Sequence, residues 1–318
     1  MCCSGGNRYN FPMCTISPWP ALAPLGKLLR LNGEKETLFF YDTLGSHSTD
    51  KPLLVLIHGL GDEADSWRHL IPLLEEKFRV LAPDLPGFGR SAAPGRINVK
   101  RHIRAVIRLL EAAGADTAGP ALLAGNSMGA LIAEGVAVFR PGLVKGLILI
   151  DGAFPSPVKL GGGFLFLCLP FLGKMWYRGF RKNHQGAYES LFPYYAGFAG
   201  LDEKDKNFLR ERVIARVESP SQERAYFASL RSLVWAYWKG GAGFVRSIKT
   251  FLGAENRAKK LLFIWGERDV IMPQKSADII RRLCPEASFT VIPGAGHLPQ
   301  QEKPAETAAV ILGIAGTE

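Results

Sequence analysis

Residues 122 to 135 read LLAGNSMGALIAEG, and within them Gly125, Ser127 and Gly129 have G-x-S-x-G spacing. That spacing suits a strand-to-helix turn so tight that its central residue is strained, because flanking glycines remove the Cβ atoms that would collide. The hydroxyl of Ser127 then projects from the end of a sheet. Such a hydroxyl is a weak nucleophile until an imidazole takes its proton, and the imidazole works best when a carboxylate fixes its tautomer. Asp269 closes LLFIWGERD and His297 closes FTVIPGAGH, each just beyond an expected strand. The order serine, acid, histidine is the one expected after a nucleophile elbow. Asp151 also closes an expected strand and stands as the alternative acid. Of the six histidines, His47, His69, His102 and His184 fall on expected loops or helices away from strand ends. His58 does end a strand, but Gly59, Leu60 and Gly61 follow it directly, so it is assigned to shaping that turn.

Acyl transfer also needs two donors aimed at the developing oxyanion. The backbone N–H of Met128, directly after the serine, is one candidate, and that of Leu60, in the loop after an early buried strand, is the other. His58, Gly59, Gly125, Asn126 and Gly129 are the supporting loop residues. Five cysteines show neither a C-x-x-C pair nor zinc-ligand spacing, so no metal site follows from them.

These residues can converge only if the elements between them build a parallel sheet, whose strands present their carboxyl ends on one side. TLFFYD reads as an edge strand, and PLLVLIHG as a strand buried on both faces. Ser66 is placed as the N-cap of a helix through WRHLIPLLEEK, and FRVLAPD is the next strand. A helix over 99–113, strand PALLAG, a helix over 128–139 and strand VKGLILID continue the alternation. The pattern stops at Asp151. Helices through KNFLRERVIARVE and from Pro220, the latter with Phe227, Leu230, Val234 and Tyr237 on one face, belong to an insertion. KLLFIWGERD, a helix over 274–283, SFTVIPGAGH and a helix after Pro304 resume the sheet pattern. The expected fold is therefore α/β, a mostly parallel central sheet flanked by helices, with an inserted and largely helical cap. The expected divisions are an irregular arm at 1–35, core at 36–152, cap at 153–255 and core at 256–318.

At 318 residues, with 47% hydrophobic and 21% charged content, the chain has the composition of a folded globular protein. Its formal charge of +10 raises the question of an anionic partner. Lys100, Arg101, Arg104 and Arg108 lie opposite an apolar stripe of Val99, Ile103, Val106, Ile107 and Leu110, which is an ordinary solvated helix face. No nucleic-acid motif surrounds this group or the basic YRGFRKNH stretch, and nucleic acid is not an expected partner. GGGFLFLCLPFLG is too short and too interrupted to span a bilayer, but with the cations after it suits an acyl chain or a lipid surface. The odd cysteine count and lack of a signal-peptide pattern favour a reducing, cytoplasmic setting, with membrane association through the cap. Acylation of Cys2 or Cys3 is a separate hypothesis for the N-terminus. The oligomeric state is left open.

LIHGLGDEADSW, VLAPDLPGFGRS, LLAGNSMGA, LILIDG, FIWGERD and IPGAGH together resemble the α/β-hydrolase superfamily, in its cap-containing serine hydrolase branch, from about residue 53 to the C-terminus. The resemblance implies a Ser127–Asp269–His297 triad, an oxyanion hole at Leu60 and Met128, and no metal or organic cofactor. Ser127 departs from the aspartate elbow of haloalkane dehalogenases and epoxide hydrolases. Met128 and HGLGD depart from proline iminopeptidases. GNSMG is similar to the elbow of some carbon–carbon bond hydrolases, whose early loop differs. Esterases and lipases match best, which implies a small ester substrate with an apolar acyl or alcohol part. The alternatives are carbon–carbon, thioester or acyl-transfer chemistry on the same fold, and a non-catalytic receptor for a small ligand.

Overall fold

The computed structural model describes residues 16–31, 36–46, 51–92, 95–152, 167–169, 171–251 and 260–315. Cys2, Cys3 and the 161–166 part of the apolar stretch lie outside them.

Eight strands form one sheet: β1 Gly26–Leu31, β2 Glu36–Asp42, β3 Leu53–Ile57, β4 Arg79–Pro83, β5 Ala121–Asn126, β6 Val144–Ile150, β7 Lys260–Gly266 and β8 Ser288–Ile292. Their order is β1-β2-β4-β3-β5-β6-β7-β8. Pairing is antiparallel from β1 to β2 and from β2 to β4, and parallel from β4 onward. The fold is thus the expected α/β arrangement with a mostly parallel sheet. All five residues of β3 are buried because both faces of the sheet are covered. Alternate side chains enter two cores: Val55, Ile57, Leu123, Leu147, Leu149 and Phe263 on one face, Leu54, Leu56, Leu122, Ala124, Ile148 and Ile264 on the other.

Among the described residues the α-helices are α1 Ile71–Leu74, α2 Val99–Ala112, α3 Met128–Phe139, α4 Leu172–Gly179, α5 His184–Glu189, α6 Glu203–Glu218, α7 Pro220–Phe251, α8 Gln274–Leu283, α9 Pro299–Glu302 and α10 Pro304–Ala315. In α2 the Asn98 side chain accepts from the Arg101 N–H, capping the helix. Its Val99, Ile103, Val106 and Leu110 are buried, while Lys100, Arg104 and Arg108 are exposed. Helices α4 to α7 all lie in the excursion between β6 and β7, as the break in periodicity at Asp151 implied.

Two local expectations are corrected. Residues 26–31, placed in an irregular arm, form the edge strand β1, so TLFFYD is an interior strand with Leu38, Phe39 and Tyr41 fully buried. GKLLRL is short and lacks a clean alternation, and its strand character comes from pairing with β2. The helix expected after Ser66 is a 3-10 turn, Ala64–Trp67, followed by the single turn of α1. The Ser66 hydroxyl caps no helix; it accepts from the side-chain amides of Gln300 at 3.3 Å and Gln301 at 2.9 Å.

Candidate active site

Ser127 sits between β5 and α3 at φ 54°, ψ −115°, a conformation that side-chain-bearing residues rarely adopt. Two glycines permit it. A Cβ on Gly129 would overlap the carbonyl of Ile57 at the end of β3, and one on Gly125 would overlap the backbone of Gly129. The crossing of β3, β5 and α3 is therefore a backbone-to-backbone contact. Met128 is the first residue of α3, so its N–H has no intrahelical acceptor and is free to face a ligand. Leu60 and Gly59 line the same cavity as Ser127.

The acid and the histidine meet at the same sheet end. His297 Nδ1 lies 2.8 Å from Asp269 Oδ2, with both side chains buried. The other oxygen, Oδ1, accepts the backbone N–H groups of Ile271 at 2.8 Å and Met272 at 2.9 Å. Three contacts thus hold the carboxylate, which leaves His297 Nε2 as the ring nitrogen not engaged by the acid.

Asp151 lies one strand away, fully buried, with φ 45°. Its Oδ1 accepts the Gly266 N–H at 2.7 Å, and its Oδ2 is buried without a hydrogen-bond partner. Burial first, and then the neighbouring charge of Asp269, hold this carboxyl well above the usual carboxylate range. Both effects favour its protonated form, beside the acid that contacts the histidine.

The supporting residues have definable tasks. Asn126 donates through Nδ2 to the His297 carbonyl at 3.0 Å and the Ile150 carbonyl at 3.3 Å, tying the serine strand to the histidine loop. His58 has Nδ1 2.7 Å from the Gly59 carbonyl, and its Nε2 accepts the Leu85 N–H at 2.9 Å. Burial lowers its tendency to take a second proton, so it braces the turn as a neutral ring.

Three features had no signal in the sequence. The His297 N–H donates to the Tyr194 carbonyl at 2.9 Å, so the helical excursion anchors the histidine loop. Arg216 of α6 pairs with Asp62 at 2.7 Å and Glu63 at 3.3 Å, while Arg212 pairs with Glu63 and Asp65, each at 3.2 Å. His102 Nε2 lies 2.8 Å from the Ser229 hydroxyl of α7. These pairs unite residues about 100 to 150 apart in the chain, beyond the reach of local periodicity. A cavity of about 230 Å³ opens over Ser127 and His297, walled by Leu60, Tyr177, Tyr194, Val213, Tyr226 and Leu298. Among the described residues, no group of three or more His, Cys, Asp or Glu side chains is placed to hold a metal ion.

A mostly parallel sheet with a strained serine at a strand-to-helix turn, on the same cavity as a histidine paired with a buried carboxylate, is the arrangement of an α/β-hydrolase fold. The chain belongs to the alpha/beta hydrolase family, whose sequence model matches residues 54–310. It is 26% identical over 278 residues to pimeloyl-[acyl-carrier protein] methyl ester esterase of Edwardsiella ictaluri, an alignment covering 87% of this chain and 96% of that protein. It is also 26% identical over 264 residues to Lipase 1 of Psychrobacter immobilis, covering 80% and 74% respectively. Among solved structures, 2-hydroxy-6-oxo-6-phenylhexa-2,4-dienoate hydrolase of Rhodococcus sp. strain RHA1 superimposes with a TM-score of 0.68 at 20% identity, covering 91% of this chain and 99% of that one. That last similarity is one of fold.

Proposed function

We propose that this protein is a serine hydrolase that cleaves carboxylic esters with an apolar acyl or alcohol part, using Ser127, His297 and Asp269. The observation that carries this is the placement of a strained Ser127 and the buried His297–Asp269 pair on one largely apolar cavity. His297 takes the Ser127 proton through Nε2 as Oγ attacks the carbonyl carbon. The N–H groups of Leu60 and Met128 donate to the oxyanion. Collapse of the intermediate expels the alcohol, which receives the proton from His297, and water repeats the two steps on the acyl-enzyme. Asp269 holds the ring tautomer and stabilises the imidazolium. Tyr177, Tyr194, Val213 and Tyr226, from the 153–255 cap, wall the acyl site, and esterase and lipase relatives support the same class of substrate.

Hydrolysis of a nitrophenyl-ester series from short to long acyl chains tests this. Wild type should turn over, with a preferred chain length set by the cavity, and Ser127→Ala should be slower by roughly 10⁴-fold. A wild type inert on every ester, or a Ser127→Ala variant equal to it, overturns the reading.

A further inference from the structure

Six of the ten exposed large apolar side chains among the described residues gather at one place: Leu169, Phe171, Leu172, Met175, Trp176 and Trp235. Phe171 is 85% exposed, Met175 66% and Trp235 60%. A stable water-facing surface scatters such groups, and a cluster this dense marks a contact surface. Phe171, Leu172, Met175 and Trp176 follow helical spacing along the start of α4 and so share one face. Trp235 of α7 joins them, because it lines the same shallow depression as Cys168.

Basic residues outnumber acidic ones on the two segments that form this face. Segments 167–182 and 220–235 carry Lys174, Arg178, Arg181, Lys182, Arg224 and Arg231 against a single acid, Glu223. Glu223 is bound by Arg178 and Arg181, each at 2.8 Å, so the remaining cations have no acid within these segments to offset them. Exposed aromatic and aliphatic side chains rimmed by Lys and Arg match the boundary between acyl chains and anionic headgroups. A protein partner of this chemistry would need its own dense acidic rim around an apolar centre, which an anionic bilayer supplies everywhere. Trp176 adds a second link, since it is both part of the exposed face and part of the wall of the cavity over Ser127, as is Leu167 beside the cluster. No helix among the described residues is long and apolar enough to cross a membrane, so contact through this face would be peripheral.

We propose that this face docks the protein on an anionic phospholipid surface, with the cavity mouth turned toward it, so that an apolar substrate enters from the lipid phase. Docking stands on the surface alone, whereas substrate entry rests on the ester-hydrolase reading of the cavity.

The test is co-sedimentation of the full chain with vesicles of phosphatidylcholine alone or mixed with phosphatidylglycerol, at low and high salt. The protein should pellet with the mixed vesicles and be released by salt. Phe171→Glu with Met175→Glu should cut partitioning by at least about tenfold, because buried apolar area is one of the two contributions to such binding. Lys182→Glu with Arg231→Glu should do so at low salt. None of these four residues lines the cavity, so hydrolysis of a short soluble ester should be unchanged and also reports correct folding. Equal pelleting of wild type and both variants overturns the proposal. So does a wild type that ignores vesicles but forms a concentration-dependent dimer lost in Phe171→Glu/Met175→Glu, which would assign the face to a second copy. A wild type that pellets as expected yet cleaves no ester keeps the docking surface and removes the ester reading.

Discussion

The side-chain amide of Asn126, the residue before Ser127, donates to the backbone carbonyl of His297 at 3.0 Å. The strand that leads to Ser127 and the loop that carries His297 are thereby joined by one buried hydrogen bond, independent of the contact between His297 and Asp269. Asn126→Ala should leave the His297 carbonyl short of a donor, while the Ile150 carbonyl keeps the Ser127 N–H, costing about 1–3 kcal/mol of stability. Loss of alignment should lower kcat roughly 10- to 100-fold. Denaturant unfolding and ester kinetics on the same preparation would separate the two effects, and unchanged kcat would show that the tie is structural only.

The two acids at the sheet end should respond differently to the same substitution. Asp269→Asn removes the charge facing His297 and permits the wrong ring tautomer, so turnover should fall by about 10⁴-fold. Burial and the nearby charge of Asp269 favour the protonated form of Asp151, so Asp151→Asn is close to isosteric with that form and should keep turnover close to wild type. Kinetics of the two variants decide the matter, and the reverse pattern would transfer the role of acid to Asp151.

Gly129→Ala tests the elbow itself. The added methyl group would overlap the carbonyls of Ile57, at the end of β3, and of His58, just beyond it, and backbone cannot swing aside as a flexible side chain would. The expected cost is at least about 1–3 kcal/mol, the usual range for overpacking. A melting temperature equal to wild type would mean that β3 and α3 can separate without loss.

Acid should loosen the excursion from the core before it unfolds the sheet. Burial lowers His102 from 6.5 to about 3, so its neutral contact with Ser229 contributes fully above about 6.5 and is progressively lost toward 3. Burial alone would raise Glu63, but the charges of Arg216 and Arg212 outweigh it and bring the carboxyl from 4.5 to about 2. Its contribution is present above about 4.5 and lost as pH falls toward 2. The melting temperature should therefore decline below about pH 6.5 and more steeply below about 4.5. In His102→Gln the upper part of that decline should disappear, and a pH profile identical to wild type would exclude His102 as its source.

The parallel sheet was legible because β3 and most of β5 and β6 are apolar runs and α2 keeps a strict helical stripe, patterns set by burial on two faces or one. The meeting of Ser127, Asp269 and His297 at one sheet end followed from their positions at strand termini. Other features were hidden where tertiary partners override local preference. Ser66 resembles a helix cap but serves Gln300 and Gln301 of α9. β1 exists because β2 pairs with it. Asn126 was legible as part of the turn, but its bond to residue 297 was not, and the anchoring of His297 by Tyr194 carries no side-chain signature because the acceptor is a backbone carbonyl.

The excursion leaves the sheet after Ile150 and returns at Lys260, on strands that are immediate neighbours, with Ile150 paired to Ile264. From the standpoint of the sheet, the helices α4 to α7 are a loop whose ends are already held together. The entropy of closing such a loop grows only logarithmically with its length, each doubling adding about 0.6 kcal/mol. The segment that walls the cavity can therefore be lengthened, shortened or exchanged while strand pairing across β6 and β7 is preserved, which makes it the natural place to engineer a different substrate range.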